Sequence, residues 1–373
     1  MSSGRVTPPA RDRGAESESA NRPTVGAGSS GRGDVPGTED ELEEALSRPT
    51  PEVVDTLRAA PGDVVILGAG GKMGPSLARM ARRAADALGD ERRVIAVSRF
   101  SDAGLQHALG ADGVETIRAD LLDRRAVDAL PDAPNVVFMA GQKFGTRSDP
   151  AATWAMNVLV PAAAAERYAG ARIVAFSTGN VYPLVPANGP GASESAPPGP
   201  VGEYAQSCLG RERVLEHVCG RTGSPLAIVR LNYANALRYG VLTDLGLAIR
   251  DGRPIDLTMG WVNVIWQGDA NTIALRCLAH AARPPFVVNV AGGEHLRVRD
   301  AALALGERLG RAPVFTGSEA PDALLSDTSR ARALFGAPRV STLELIDWTA
   351  RWIASGSATL DKPTMFQARD GGF

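Results

Sequence analysis

Lysine is almost absent from this chain: Lys72, Lys143 and Lys362 are three of its 40 basic residues. The skew toward arginine reads as compositional, yet it makes each lysine worth locating. Cysteine and histidine are nearly as scarce. Cys208, Cys219 and Cys277 show no CxxC spacing, and His107, His217, His280 and His295 are too scattered to form a ligand cluster, so neither a disulfide framework nor a metal site is expected. No apolar run reaches the ~20 residues that cross a bilayer. The opening MSSGRVTPPARDRGAESES lacks the apolar core of a secretion signal, so no membrane association and a cytoplasmic location are expected. An excess of positive charge is missing too. A formal net charge of -2 gives no basic footprint for a phosphate backbone, which argues against nucleic acid and for small molecules as partners.

What is present is ample apolar material, 44% of 373 residues, enough for a sizeable core. Residues 1–38 are rich in Gly, Ser, Pro, Arg and Glu, a composition that cannot offset the entropy of ordering, and are expected to form a disordered tail. Capping chemistry at Thr38 followed by acidic residues predicts a helix over 39–47, and a second helix is expected near 51–59. From Asp63 onward the runs VVILG, RVIAVS, TIRAD, NVVFMAG, RIVAFST and LAIVRLN alternate with amphipathic segments. Continuous apolar runs separated by helices predict an α/β fold with a doubly wound parallel sheet, a Rossmann domain over 61–230. Residues 231–373 are expected to form mainly a smaller C-terminal lobe containing FVVNVAG and RDAALALGERLG, with 262–291 returning to the Rossmann core.

VVILGAGGKMGPSLARM sets Gly68, Gly71 and Gly74, with Lys72 and Met73 between them, where the first strand turns into a helix. Glycines there permit a tight turn and let backbone N–H groups approach a pyrophosphate at the helix N-terminus. The second strand ends in Ser98-Arg99, where an acidic residue would hold the ribose hydroxyls of NAD. Arginine suits a 2′-phosphate through its planar fork, so NADP is the expected cofactor and NAD the alternative.

These motifs and their order resemble the extended short-chain dehydrogenase/reductases, the NAD-dependent epimerase/dehydratase family, from about Asp63 to Pro338. GAGGKMG looks like that family's phosphate loop. Asp120-Leu121 matches its adenine-contacting pair, Met139-Ala140-Gly141 the turn that meets the cofactor ribose, and Asn157 the asparagine of the following helix. AFSTGNVYP resembles the strand-five signature and puts Thr178 at the catalytic Ser/Thr, while Tyr204 in EYAQSCLGRE falls at the catalytic tyrosine. The resemblance implies that Tyr204 exchanges a proton with a substrate oxygen held by Thr178 and also meets the cofactor. It implies a homodimer through the helices beginning near Ala151 and Tyr204.

The chain departs from the family at Cys208, which stands where YxxxK has its lysine. A tyrosine of pKa ~10 is a poor base at neutral pH without a nearby cation, and a neutral thiol supplies none. Oxidised nicotinamide or a lysine from elsewhere could substitute. Lys143 in MAGQKFGT is the candidate helper or direct acid/base. Gly179-Asn180 replaces the Asp-Glu pair of the family's dehydratases, which disfavours elimination, and RLNYANALRYGVLTD replaces the usual turn after strand six. Arg230, Asn232, Tyr233, Arg238, Tyr239, Trp261, Asn263, Trp266 and Gln267 suggest a cleft for a polar ring. The sequence thus predicts an NAD(P)-dependent oxidoreductase or epimerase acting on a secondary alcohol or carbonyl of a sugar-like or polyol-like molecule. A non-catalytic NAD(P) sensor or scaffold is the alternative.

Overall fold

Seven short runs form strands: β1 (Val64–Leu67), β2 (Val94–Ser98), β3 (Glu115–Arg118), β4 (Asn135–Phe138), β5 (Arg172–Thr178), β6 (Leu226–Leu231) and β7 (Phe286–Val290). In the computed structural model, which describes residues 1, 4 and 35–373, they form one sheet in the order β3-β2-β1-β4-β5-β6-β7, every neighbour parallel. The fold is a Rossmann-like α/β sheet. Its strand order reverses between β1 and β4, and ligands of open parallel sheets bind in the crevice at such a point, beyond the strands' carboxyl ends.

Alternation along β1 explains the two covered faces. Val64 and Ile66 point into one core with Leu77, Met80 and Ala274, while Val65 and Leu67 point into the other with Ile95, Val160 and Leu215. Only β3, at the sheet edge, exposes its end residues, Glu115 and Arg118. FVVNV, within the residues 262–291 that return to the Rossmann core in the sequence reading, is β7: its apolar side chains cover the outer edge of β6, and residues 286–290 pair with 227–231.

Helix Glu39–Ser47 opens on a complete capping box, in which the Thr38 hydroxyl accepts from Glu41 N–H and the Glu41 carboxylate accepts from Thr38 N–H. With helix Pro51–Ala59 it buries Leu42, Leu46, Val53 and Leu57 against helix Gly74–Leu88. Residues 36–373 form one compact unit. The expected tail over residues 1–38 falls almost wholly outside the described residues; Thr38, at its end, belongs to the folded unit.

Helices Val241–Asp251, Val298–Leu309 and Thr342–Ala354 pack together as the smaller lobe. Trp266, suggested for a cleft, is placed differently. Trp266 is 1% exposed and meets Trp348 edge-on at 5.4 Å, and Trp261 pairs through its backbone with Arg297. An indole that finds an aromatic partner inside a core contributes more there than at a wet cleft. Among the described residues no helix is long and apolar enough to cross a membrane, and no group of His, Cys, Asp or Glu could hold a metal ion.

Candidate active site

A cavity of about 690 Å³ opens at the reversal of strand order. Its floor is the loop between β1 and helix Gly74–Leu88. Gly68 holds a left-handed φ of +90°, and a Cβ there would lie 2.5 Å from Ala140 N, so only glycine lets the β1 and β4 ends approach this closely. The N–H groups of Gly70, Lys72, Met73 and Gly74 find no acceptor among the described residues. That row of unsatisfied donors at a helix N-terminus fits a dinucleotide's pyrophosphate. Arg99 lines the same cavity at the end of β2.

Tyr204 projects from the first turn of helix Gly202–Thr222 toward Thr178, the last residue of β5. The Thr178 oxygen accepts from Asn180 N–H at 3.2 Å and from Asn180 Nδ2 at 3.0 Å. With its lone pairs occupied, the hydroxyl's single proton is free to be donated to Tyr204 or a substrate oxygen. A hydrogen bond from Thr178 indeed favours the Tyr204 phenolate, but burial outweighs it and pushes the Tyr204 pKa upward, with neighbouring Cys208 adding to the rise. Cys208 itself is fully buried among Val181, Tyr182 and Ala192, and burial raises its thiol pKa, which argues against an activated nucleophile.

The cation nearest in effect to Tyr204 is Arg211, two helical turns beyond it on the same face. Its guanidinium donates to Phe176 O at 2.8 Å and to Asn157 Oδ1 at 2.6 Å. Gly141 makes the approach possible, because a Cβ there would lie 2.6 Å from Arg211 Nη2. Asn157 sits in a single π turn, Ala155–Leu159, and satisfies its whole amide. It accepts from Gln142 N–H as well as Arg211, and donates to Gln142 O at 3.0 Å and Ser207 Oγ at 2.9 Å. It therefore clamps the segment after β4 to the helix that carries Tyr204.

Lys143 also lines the cavity. Its ammonium donates to Thr364 O at 3.0 Å and lies 4.4 Å from the centre of the Phe373 ring, and that ring meets Tyr204 edge-on at 5.4 Å. Lys143 thus touches the ring that touches Tyr204. Thr364 and Phe373 belong to a strap, residues 359–373, that crosses the cleft. It is pinned by Asp244, which accepts from Thr364 N–H at 2.7 Å and Thr364 Oγ1 at 2.6 Å, by the ion pair of Arg369 with Asp322, and by Thr146 Oγ1 donating to Phe373 O at 3.1 Å.

Of the residues singled out in the sequence, Gly68, Gly71, Lys72, Met73, Gly74, Arg99, Met139, Gly141, Lys143, Thr178 and Tyr204 line this one cavity, together with Asn232, Tyr233, Tyr239 and Gln267. Ser98, Ala140 and Asn157 lie behind its wall: Ser98 Oγ fills the space beside Gly70, Ala140 packs under Gly68, and Asn157 is buried. Asp120 and Leu121 stand apart, Asp120 accepting from Leu122 N–H and Leu121 buried in the core. Arg230, expected at a cleft, is instead buried in a bidentate pair with Glu212 at 2.7 and 3.0 Å, because a guanidinium beside a buried carboxylate is held there. Sequence reasoning missed Arg211, Asp244, Asn180's hold on Thr178 and the strap. The spacing of Arg211 from Tyr204, seven residues on one helix, was the available signal.

The model of the NAD dependent epimerase/dehydratase family matches residues 64–240. No curated protein sequence matches the chain significantly. Among solved structures, the fold is similar to UDP-glucose 4-epimerase of Thermus thermophilus in complex with NAD, at 21% identity and a TM-score of 0.64, over 80% of this chain and 100% of that one. It is also similar to DesIV, the dTDP-glucose 4,6-dehydratase of Streptomyces venezuelae with NAD and TYD bound, at 18% identity and a TM-score of 0.67, covering 78% and 96%. A third is MoeE5 in complex with UDP-glucose and NAD, at 22% identity and a TM-score of 0.62, covering 78% and 100%. From the first sheet strand through Tyr204 and beyond, residues 64–240 thus resemble the NAD dependent epimerase/dehydratase family.

Proposed function

We propose that the protein is an NAD(P)-dependent epimerase or oxidoreductase acting on a secondary alcohol or carbonyl of a polyol-like small molecule. The observation that carries the reading is the Tyr204–Thr178 hydroxyl pair, set in a cavity continuous with a glycine loop in which the N–H groups of Gly70, Lys72, Met73 and Gly74 lack acceptors among the described residues. When bound, the nicotinamide supplies a hydride donor or acceptor. The chain's own residues do the rest. The N–H groups of Gly70, Lys72, Met73 and Gly74 bind pyrophosphate, Thr178 holds the reacting oxygen, and Tyr204 moves the proton on it. Asn180 fixes the direction of the Thr178 hydroxyl. Gly179 and Asn180 leave no carboxylate at the positions where dehydratases of the family carry their eliminating pair, which supports epimerisation or net redox over elimination.

With Cys208 uncharged, Arg211 is the group that lowers the Tyr204 pKa against burial. Removing it leaves burial opposed only by the Thr178 hydrogen bond, so the phenolate forms at higher pH. Arg211→Met is therefore expected to move the rising limb of the oxidation rate toward higher pH and to lower the rate at neutral pH. A pH–rate profile of both proteins checks this, and an unchanged limb would return the role to Lys143.

The neighbours crystallised with NAD support a nicotinamide cofactor of either kind, while Arg99 favours the 2′-phosphate of NADP. Losing a charge-assisted contact of about 1.5–3 kcal/mol corresponds to roughly 10- to 100-fold. Arg99→Ala is thus expected to weaken NADP binding by at least tenfold in titration calorimetry with little change for NAD. Equal NAD and NADP affinities in the unaltered protein would make NAD the working cofactor. Tight cofactor binding with no turnover of any alcohol or carbonyl would favour the sensor reading. Exposed Trp154 and Leu159, on the helical segment of residues 150–167, support a homodimer, which sedimentation velocity measures.

A further inference from the structure

All three lysines of the chain line the same cavity. Lys72 comes from the glycine loop, Lys143 from the segment after β4 and Lys362 from the strap, so three distant stretches converge there. Elsewhere arginine does the electrostatic work: every ion pair between described residues is made by an arginine and none by a lysine. With Arg99 the cavity lining carries four cationic side chains and no carboxylate.

The contacts that the lysines do make are neutral. Lys72 Nζ lies 3.3 Å from the centre of the Tyr239 ring and Lys143 Nζ bonds to a backbone carbonyl. Asp244, the acid nearest in effect, is already engaged by Thr364. Burial, together with Lys143 and Lys362 nearby, holds Lys72 down at about 7, and burial holds Lys143 down at about 8. Lys72 and Lys143, desolvated and offset only by an Asp244 that Thr364 already engages, are costly to the folded protein, and an entering anion relieves them, with exposed Lys362 lining the same cavity. Lysine suits this better than arginine. Its compact ammonium on a flexible stem meets an oxyanion from several directions, whereas the guanidinium fork needs one planar approach. Lys143 and Lys362 are also carried by neither the glycine loop nor the β2 end, whose donors the cofactor's phosphates would use.

We infer that Lys72, Lys143 and Lys362 form an oxyanion subsite, and that the substrate carries a carboxylate or phosphate group held there while Tyr204 and Thr178 hold the reacting oxygen. The assignment of that group to a substrate rests on the hydride-transfer reading above; the subsite itself does not.

Scarcity makes the test direct, since ¹³C-lysine labelling of the full chain gives only three ε-methylene signals. The labelled protein is titrated at constant ionic strength with inorganic phosphate, with gluconate and with neutral glucose, with and without saturating NADH or NADPH. The expected result is that phosphate or gluconate moves all three signals along one binding curve, that glucose does not, and that Lys362→Gln weakens the oxyanion about tenfold. A response to gluconate alone identifies a carboxylate and a response to phosphate alone a phosphate. Signals that stay still, that move independently, or that the dinucleotide alone saturates would overturn the subsite, the last by assigning the lysines to the cofactor. Fluorescence of NADH or NADPH in unlabelled protein separates the two readings: if neither dinucleotide binds while the oxyanion still moves all three signals, the hydride-transfer reading falls and the subsite stands.

Discussion

Replacing Tyr204 by phenylalanine is expected to lower kcat for alcohol oxidation or carbonyl reduction by about a thousandfold, within the range of 10²–10⁴ that a positioned acid/base supplies. The substitution keeps the ring and its edge-on contact with Phe373 at 5.4 Å, so the helix and strap retain their packing. It removes only the hydroxyl that Thr178 faces. Cofactor affinity, set by loop N–H groups on other elements, is expected to stay within about twofold. A Tyr204→Phe protein with full activity would mean that another group moves the proton. Lys143, at about 8, would then be the next to replace.

The second large effect lies behind the site. Glu212, 1% exposed, accepts both arms of the Arg230 fork and the Ser177 hydroxyl at 2.5 Å, and Arg230 also donates to the Tyr182 hydroxyl at 2.7 Å. The Tyr182 hydroxyl in turn donates to Asn289 Oδ1 at 2.8 Å, which ties β5, β6 and β7 to helix Gly202–Thr222. Glu212→Ala strands a buried guanidinium and is expected to cost about 3–5 kcal/mol of stability, measured by urea unfolding. Replacing both partners by apolar residues, Glu212→Leu with Arg230→Met, is expected to cost less than the single change, because no charge is left unpaired. Since Ser177 precedes Thr178, the single variant should also loosen the Thr178 hydroxyl. A loss below about 1 kcal/mol would show that water reaches the pair.

Much of the site was legible because its parts are local. The glycine spacing between an apolar run and a helix marked the glycine loop, and the offset between Thr178 and Tyr204 followed from one strand, one turn and one helix start. Arg211 was harder to find. Its effect on Tyr204 depends on Gly141 leaving room and on Asn157 turning its amide in a π turn, and neither is encoded near position 211. Arg230 and Trp266 misled for the opposite reason. Their side chains suit a wet cleft and a packed interior equally, and burial decides between them.

By itself the amino-acid sequence determined the alternation of apolar runs and helices, the glycine loop and the hydroxyl pair, because each depends on periodicity or on residues a few positions apart. Only the tertiary structure decided what surrounds them. It brought Lys72, Lys143 and Lys362 to one cavity, laid residues 359–373 over Tyr204 and made β7 the outer strand of the sheet. Such contacts join segments as far apart as 221 residues, as between Lys143 and Thr364. Which distant side chains meet is settled by how the whole chain buries its apolar surface, and no local pattern carries that information.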